Sequence, residues 1–425
     1  MKVVINKGTK QIGGCITEIL SNNARIIIDF GEDLPDDNKE CFDVSIDGVT
    51  NDKNNLCDAV FITHNHGDHI GLINKIHNDV LVYVEEKAYE VYKVSQAFMC
   101  DKKIRNVKTF KFEEKILIKD MVITPYKTDH SSYNSCMFLV ESNLVRILHM
   151  GDYRANGYSS VDFYDNLKKI KSNGDIDLLI TEGTSVNRSE NENITERNLR
   201  EKAVDIFKKY KQVFIYQAST NVDRIKTFYD AACDCNKKFI LDVSSANVLK
   251  TINDKDFDYL TKNNVSVWIA NAYDKNSKLY DYKEEGFYEK YIEPFMNLKN
   301  TYALHESYVM MVKSSMISDI TNNLSKYRDD ACFIYSLWKG YLNPDKVENK
   351  KNIEFVKKVE ELGIKQFYLH TSGHADIPTM LKVNDIIKPK KVIGIHTVDN
   401  EKLGAIFSNY VKIEDGEIIC IGEDE

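Results

Sequence analysis

The chain is expected to be an α/β protein in which a β-rich part is interrupted by a parallel-sheet α/β module and then resumed. Three observations carry that expectation. Residues 1–190 hold many short apolar runs that end in polar loops. Residues 191–360 alternate strand-length apolar runs with segments of helical spacing, the pattern of βαβ units. Residues 361–425 return to the strand-then-polar-loop style of the beginning.

In order, "CITEIL" and "ARIIIDF" flank "SNN", which reads as a hairpin turn. "AVFIT" (59–63) suits a buried strand, and "IGLINKI" reads as the start of a helix. "VLVYV", "MVITPY", "CMFLVES", "LVRILHM" and "DLLIT" (177–181) continue the strands. The polar stretch "SVNRSENENITERN" (185–198) reads as a linker. Beyond it, Leu199, Ala203, Ile206, Phe207 and Tyr210 recur at helical spacing. "VFIYQ" is then a strand, "NVDRIKTFYDAA" a helix, and "FILDV" and "VSVWIA" (265–270) strands. "QFYLHTSGHA" and "KKVIGIHTVDN" close the chain as strands that run into polar loops.

At 425 residues there is room for two or three domains. Hydrophobic residues at 43% and charged residues at 29% fit a soluble globular protein. No apolar run reaches membrane-span length, and "MKVVINKGTKQIGG" lacks a secretory core, so the expected location is the cytoplasm. Nine scattered cysteines with no CxxC pair point to free thiols in a reducing compartment. The net charge of −8 argues against a generic nucleic-acid coat but not against a nucleic-acid enzyme, because bound dications can attract phosphates. The basic runs at 101–108, 208–211 and 388–392 read as solvated faces.

"FITHNHGDHIGL" (61–72) carries three of the ten histidines, His64, His66 and His69, with Asp68 among them. The same pattern, an apolar strand and then a ligand-type residue, recurs at Asp152, Glu182, His374 and His396, while "TPYKTDHS" offers His130 in a loop. Active sites in sheet-based folds collect at strand ends. Imidazole and carboxylate donors suit zinc, manganese or iron. The HxHxDH run is too tight for all four groups to meet one ion, whereas two ions bridged by a carboxylate solve the geometry. With His130, Asp152 and His396 there are seven donors, enough for two ions that share Asp152. Each later residue also has a plainer reading. Asp152 could be a turn residue, Glu182 an N-cap or a carboxylate that orients a ligand, His374 a helix start and His396 a satisfied core histidine. A single histidine such as His130 is ordinarily structural. His77, His149, His305 and His370 read as structural.

"THNHGDH", "TDHS" and "HMGDYR", in that order, resemble the metallo-β-lactamase fold, and "TEGTS", "TSGHA" and "GIHT" resemble the later motifs of its β-CASP nucleases, with ribonuclease J the most similar group. The resemblance implies an αββα sandwich with a β-CASP α/β domain inserted late in it. It implies two divalent ions, zinc or alternatively manganese. His64, His66 and His130 would hold one, Asp68, His69 and His396 the other, and Asp152 would bridge. It implies a phosphodiester hydrolase that acts through a metal-activated hydroxide. The reaction would be served by Asp68 at the ions, by Glu182 as an orienting carboxylate, and by His374 as phosphate contact or general acid. Ser372 and His374 of "TSGHA" would contact substrate.

In this group a histidine at the position of His396 resembles the RNA-cleaving members, so RNA is expected before DNA. A DNA nuclease and a hydrolase of small esters or phosphodiesters are the alternatives on the same fold. "YQASTNVDR" (216–224) resembles a groove segment in which Ser219, Asn221 and Arg224 would meet a phosphate backbone; otherwise it is an ordinarily capped helix N-terminus. "IYSLWKGYLNP" (334–344) stands where ribonuclease J has a Gly-rich loop. Trp338 and Tyr341 there are expected in the core or at a homodimer interface, with base stacking as the alternative.

Overall fold

A computed structural model describes residues 1–34, 44–51, 55–99, 107–187, 194–270, 286–298, 307–324, 328–345 and 349–422. His305 and most of the run at 101–108 lie outside the described residues, as do residues 188–193 of the polar stretch. The chain divides into two compact units, Met1–Asn193 with Ser372–Glu425, and Ile194–Thr371.

The first unit contains two mixed sheets. One has seven strands in the order Ile418–Cys420, Lys2–Lys7, Ile16–Leu20, Arg25–Ile28, Ala59–Phe61, Leu81–Glu85, Val107–Phe110. The other has six, in the order Lys391–Ile395, Leu178–Glu182, Val145–His149, Cys136–Ser142, Met121–Lys127, Ile116–Ile118. Successive side chains on a strand point to opposite faces, and the buried residues sort accordingly. Ile26 and Ile28 join Phe61, Phe138, Ile147, Ile180 and Ile395 in a core that both sheets contribute to. Ile27, Val60 and Val82 turn the other way, to a cluster with Ile70 and Tyr92. Leu139, Leu148 and Leu179 pack on Phe163, Leu167, Met380 and Val383 of the helices Ser160–Ser172 and Ile377–Ile387. The unit is thus helix, sheet, sheet, helix in layers.

The "SNN" turn joins antiparallel strands with Leu20 opposite Arg25. The helix read into "IGLINKI" is smaller and earlier: it is Gly67–Ile70, followed by a 3₁₀ turn at Ile73–Lys75. The Leu72 N–H donates to Phe30 O at 3.0 Å and hooks the chain back before a longer helix can form.

The second unit is built on a fully parallel sheet, in the order Val265–Trp268, Lys238–Asp242, Tyr308–Val312, Gln212–Tyr216, Ala331–Tyr335, Lys365–Tyr368. Its strands read as continuous buried runs because a parallel sheet is covered on both faces. The sequence places the return to the first unit at residue 361. The structure keeps residues 361–371 in the second unit, because Lys365–Tyr368 pairs with Ala331–Tyr335. Trp338 and Tyr341 are not core residues. They are 47% and 45% exposed, with their rings edge to face at 5.7 Å. Among the described residues no helix is long and apolar enough to cross a membrane.

Candidate metal centre

Five strands of the first unit end at the site. Asp29 follows Arg25–Ile28, His64 follows Ala59–Phe61, Asp152 follows Val145–His149, Glu182 ends Leu178–Glu182, and His396 follows Lys391–Ile395. Carboxyl ends of parallel neighbours expose backbone and loops that can converge on a ligand. His66 precedes the turn Gly67–Ile70, and its carbonyl accepts the N–H groups of His69 and Ile70 at 3.0 Å each. That turn places Asp68 and His69 beside His64 within one short stretch. Gly31 must stay small here, since a Cβ on it would lie 1.7 Å from Asp68 O.

His64 Nε2 lies 3.1 Å from His66 Nδ1, and His130 Nε2 lies 3.2 Å from the same atom. Three imidazoles held this way cannot all satisfy one another. An ion bound tetrahedrally at roughly 2.0–2.1 Å from each nitrogen would set them roughly 3.3–3.4 Å apart, so the spacing fits a shared ion. On the other side, His396 Nε2 is 3.2 Å from Asp68 Oδ2. Asp152 Oδ2 reaches towards both sets, at 3.2 Å from His69 Nε2, 3.7 Å from His396 Nε2 and 3.9 Å from His64 Nε2. His69 Nε2 and Asp152 Oδ1 are buried and have no hydrogen-bond partner. Orphaned buried donors facing a common point are what a metal site leaves when only the protein is considered. The residues fit the ions that the sequence pattern suggests.

The electrostatics hold most of these groups in their ligating forms; His69 is the exception, since burial disfavours its charge but Asp152 and Asp29 outweigh that and hold its imidazole well above the ordinary range, so an ion there would displace a proton. Burial, with neighbouring histidines adding to it, pushes His64 and His130 well below the ordinary imidazole range. Burial takes His66 down to about 4. Burial opposes ionisation of Asp68, but the hydrogen bond from His396 and the nearby His69 outweigh it and hold the carboxyl low. At Asp152 burial is likewise overcome, by His396, His69 and His374. Metal ligands must be neutral imidazoles and ionised carboxylates.

Four of the imidazoles are also oriented from behind. His69 Nδ1 meets Asp29 Oδ2 at 2.8 Å, and Asp29 accepts from the Thr63 N–H at 2.7 Å. Thr63 Oγ1 stands 3.0 Å from His64 Nδ1. His130 Nδ1 donates to Gly373 O at 2.5 Å. Thr184 Oγ1 lies 2.6 Å from His396 Nδ1 and donates to His396 O at 3.2 Å. His396 takes φ 52°, a left-handed conformation that costs a bulky residue roughly 1–3 kcal/mol. Arg154 and Asp129, both fully buried, pair at 3.1 Å; the arginine also donates to Ser372 O, which joins the loop of His130 to that of His374.

Glu182 is buried, and Oε1 accepts the Tyr153 N–H at 2.9 Å. Its Oε2 lies 2.9 Å from His374 Nδ1, whose imidazole stacks on His396 at 5.3 Å and is 21% exposed. Ser372 Oγ accepts the His374 N–H at 3.1 Å and shapes the loop. His149 is structural: buried, lowered to about 4 by that burial, and bonded to Thr17 Oγ1 and the Gly151 N–H.

The groove segment of the second unit departs from expectation. Arg224 is fully buried, and its guanidinium is engaged by Glu196 at 3.0 Å and Ser336 Oγ at 2.6 Å, so it presents nothing to a phosphate backbone. Asn221 Oδ1 caps the helix Val222–Asp234 by accepting the Arg224 N–H, the plainer of its two readings. Ser219 is half-buried, on the turn before that helix. Sequence reasoning passed over Asp29, Thr63, Thr184 and the Asp129–Arg154 pair. Asp29 carried the same signal as Asp152, an acid directly after an apolar strand in "ARIIIDF".

Residues 25–215 match the Beta-lactamase superfamily domain. Among curated proteins, the chain is 22% identical over 260 residues to ribonuclease J 2 of Streptococcus pyogenes serotype M3, covering 59% of this chain and 47% of that protein. It is 22% identical over 420 residues to ribonuclease J of Mycoplasma genitalium, covering 93% of this chain and 67% of that one. It therefore spans about half the length of the first relative and two thirds of the second. A crystal structure of a protein of unknown function from Enterococcus faecalis superposes with a TM-score of 0.76 at 18% identity, covering 99% of both chains, which establishes a shared fold.

Proposed function

We propose, on the footing that residues 25–215 form a β-lactamase superfamily domain, that the chain is a metal-dependent phosphodiester hydrolase of the β-CASP type acting on RNA. The observation that carries the reading is the convergence of seven donors, four of them held from behind, flanked by the buried Glu182 and the partly exposed His374. In this reading His64, His66 and His130 hold one divalent ion and Asp68, His69 and His396 a second, with Asp152 between them. Such ions, zinc or manganese, supply Lewis-acid polarisation of a phosphoryl group and a water nucleophile at neutral pH.

The chain's own residues do the rest. Glu182 accepts the proton on His374 Nδ1, which fixes the tautomer and leaves Nε2 for the substrate. There Nε2 binds a non-bridging phosphate oxygen or carries the proton to the departing oxygen. The Glu182 carboxylate stabilises the imidazolium that precedes proton release. The choice of RNA draws on the names of the two ribonuclease J relatives and on a histidine at position 396.

A paired assay tests this. End-labelled RNA and DNA of one sequence, each with a 5′-phosphate or a hydroxyl, are incubated with zinc or manganese. Shortened RNA is expected, and its loss in His64→Ala and Asp68→Ala proteins. If both variants cut as fast as the parent, the assignment is wrong. Turnover of a generic phosphodiester with no cleavage of any oligonucleotide would replace it with a small-molecule hydrolase.

A further inference from the structure

The buried thiols of the first unit do not behave alike. Cys57 Sγ donates to Ala59 O at 3.2 Å, and Cys136 Sγ to Thr63 O at 3.2 Å, the usual satisfaction of an inert buried cysteine. Cys15, 1% exposed, makes no hydrogen bond through Sγ among the described residues. Its sulfur instead shares a small volume with ligand nitrogens: Cys15, His69 and His396 each offer a ligand atom, all within 4.8 Å of one another.

The backbone builds that position. The Cys15 N–H donates to Asp68 O at 3.2 Å, and Cys15 O accepts from the Gly31 N–H at 3.3 Å. The residue is therefore strapped to the turn that carries Asp68 and His69. A Cβ on Gly8 would lie 3.3 Å from Cys15 Sγ and 3.6 Å from the His396 backbone nitrogen, so sulfur and histidine occupy one crowded corner. A second observation points to a ligand there. His69 Nδ1 is taken by Asp29, while its Nε2, 3.2 Å from Asp152 Oδ2, is buried and makes no hydrogen bond of proper geometry.

We propose that Cys15 Sγ is a further donor at the metal centre, joining His69 and His396 to make a sulfur–nitrogen set on one side of it. The proposal rests on the reading of this centre as metal-binding and adds to it the identity of the ion. Thiolate is a soft donor that selects zinc, whereas carboxylate and water suit manganese. As the sulfur–metal bond forms, the S–H bond breaks and its proton leaves to solvent, with no change of oxidation state. The other donors on this side remain available, and zinc accepts a fifth ligand.

The test uses the full chain loaded with cobalt(II), and separately with zinc. The parent protein is expected to show a sulfur-to-cobalt charge-transfer band in the near ultraviolet together with visible ligand-field bands. Cys15→Ser is expected to keep the ligand-field bands and lose the sulfur band. In a chelator competition, its preference for zinc over manganese falls at least about tenfold. X-ray absorption at the zinc edge of the parent protein gives a result that does not depend on the variant folding, with a sulfur neighbour expected at about 2.3 Å. Zinc bound with nitrogen and oxygen neighbours only, or identical cobalt spectra in parent and variant, overturns the Cys15 assignment and leaves the hydrolase reading intact. Failure of the parent to take up either metal overturns both.

Discussion

At the residue scale, the candidate donors stood out because most are a His or Asp close behind an apolar strand, and strand ends are where a sheet can present a side chain; His130, in a loop, stood out only by the resemblance. The donors' supports did not. Asp29 and His69 are joined across forty positions, and nothing local in "ARIIIDF" says which imidazole the carboxylate faces. Such a partner fixes the tautomer and raises the basicity of the ligand, and its loss typically costs about 10–100-fold in metal affinity. Asp29→Ala is therefore expected to bind zinc about 10–100-fold more weakly in a chelator competition; unchanged affinity would mean that His69 is not a ligand. His374 makes a different claim, since its 2.9 Å link to Glu182 concerns the substrate rather than the metal. His374→Ala should lower kcat about 10²–10⁴-fold, the usual worth of a placed acid or base, with metal content unchanged. Glu182→Gln should give a smaller loss and a shifted pH profile. Metal loss in His374→Ala would make it a ligand instead.

At the element scale, the pattern of strands and helices was readable from side-chain period, and it failed where tertiary contacts overrule local propensity. "IGLINKI" has the composition of a helix but ends in a short turn, because the Leu72 backbone is captured by Phe30. The strand Lys365–Tyr368 resembles the first unit in style yet pairs with Ala331–Tyr335, a choice that no local signal encodes. The helix Val222–Asp234 gives the clearest case. Asn221 and Arg224 look like phosphate contacts at a helix start, but Arg224 turns inward to Glu196 on the helix Glu196–Phe207. A buried pair that loses one partner leaves an uncompensated charge, at about 3–5 kcal/mol. Urea unfolding of Arg224→Ala should show a loss of that size, and Arg224→Met combined with Glu196→Gln should recover most of it. If Arg224→Ala is as stable as the parent and only binds RNA less well, the pair is not what anchors these helices.

At the scale of the whole molecule, the two units divide the work of folding. The first unit's three apolar clusters draw on its own residues alone, and the cluster around Phe214, Phe333 and Phe355 draws only on Ile194–Thr371. All six strands of the parallel sheet lie inside that second segment. Its two ends are tied together, Thr371 Oγ1 donating to Ile194 O. A stretch with its own core, a complete sheet and adjoining ends meets the conditions for folding alone. The candidate donors, by contrast, belong to the first unit, and completing them requires His396 from beyond the insertion. Residues 194–371 produced separately should therefore unfold cooperatively in urea at a midpoint that a chelator does not move. The full chain should lose stability on chelation, by about 2.7 kcal/mol if zinc had stood at a hundred times its dissociation constant. An unfolded fragment would show that the second unit depends on the first, and a chelator-sensitive fragment would show donors outside the centre described.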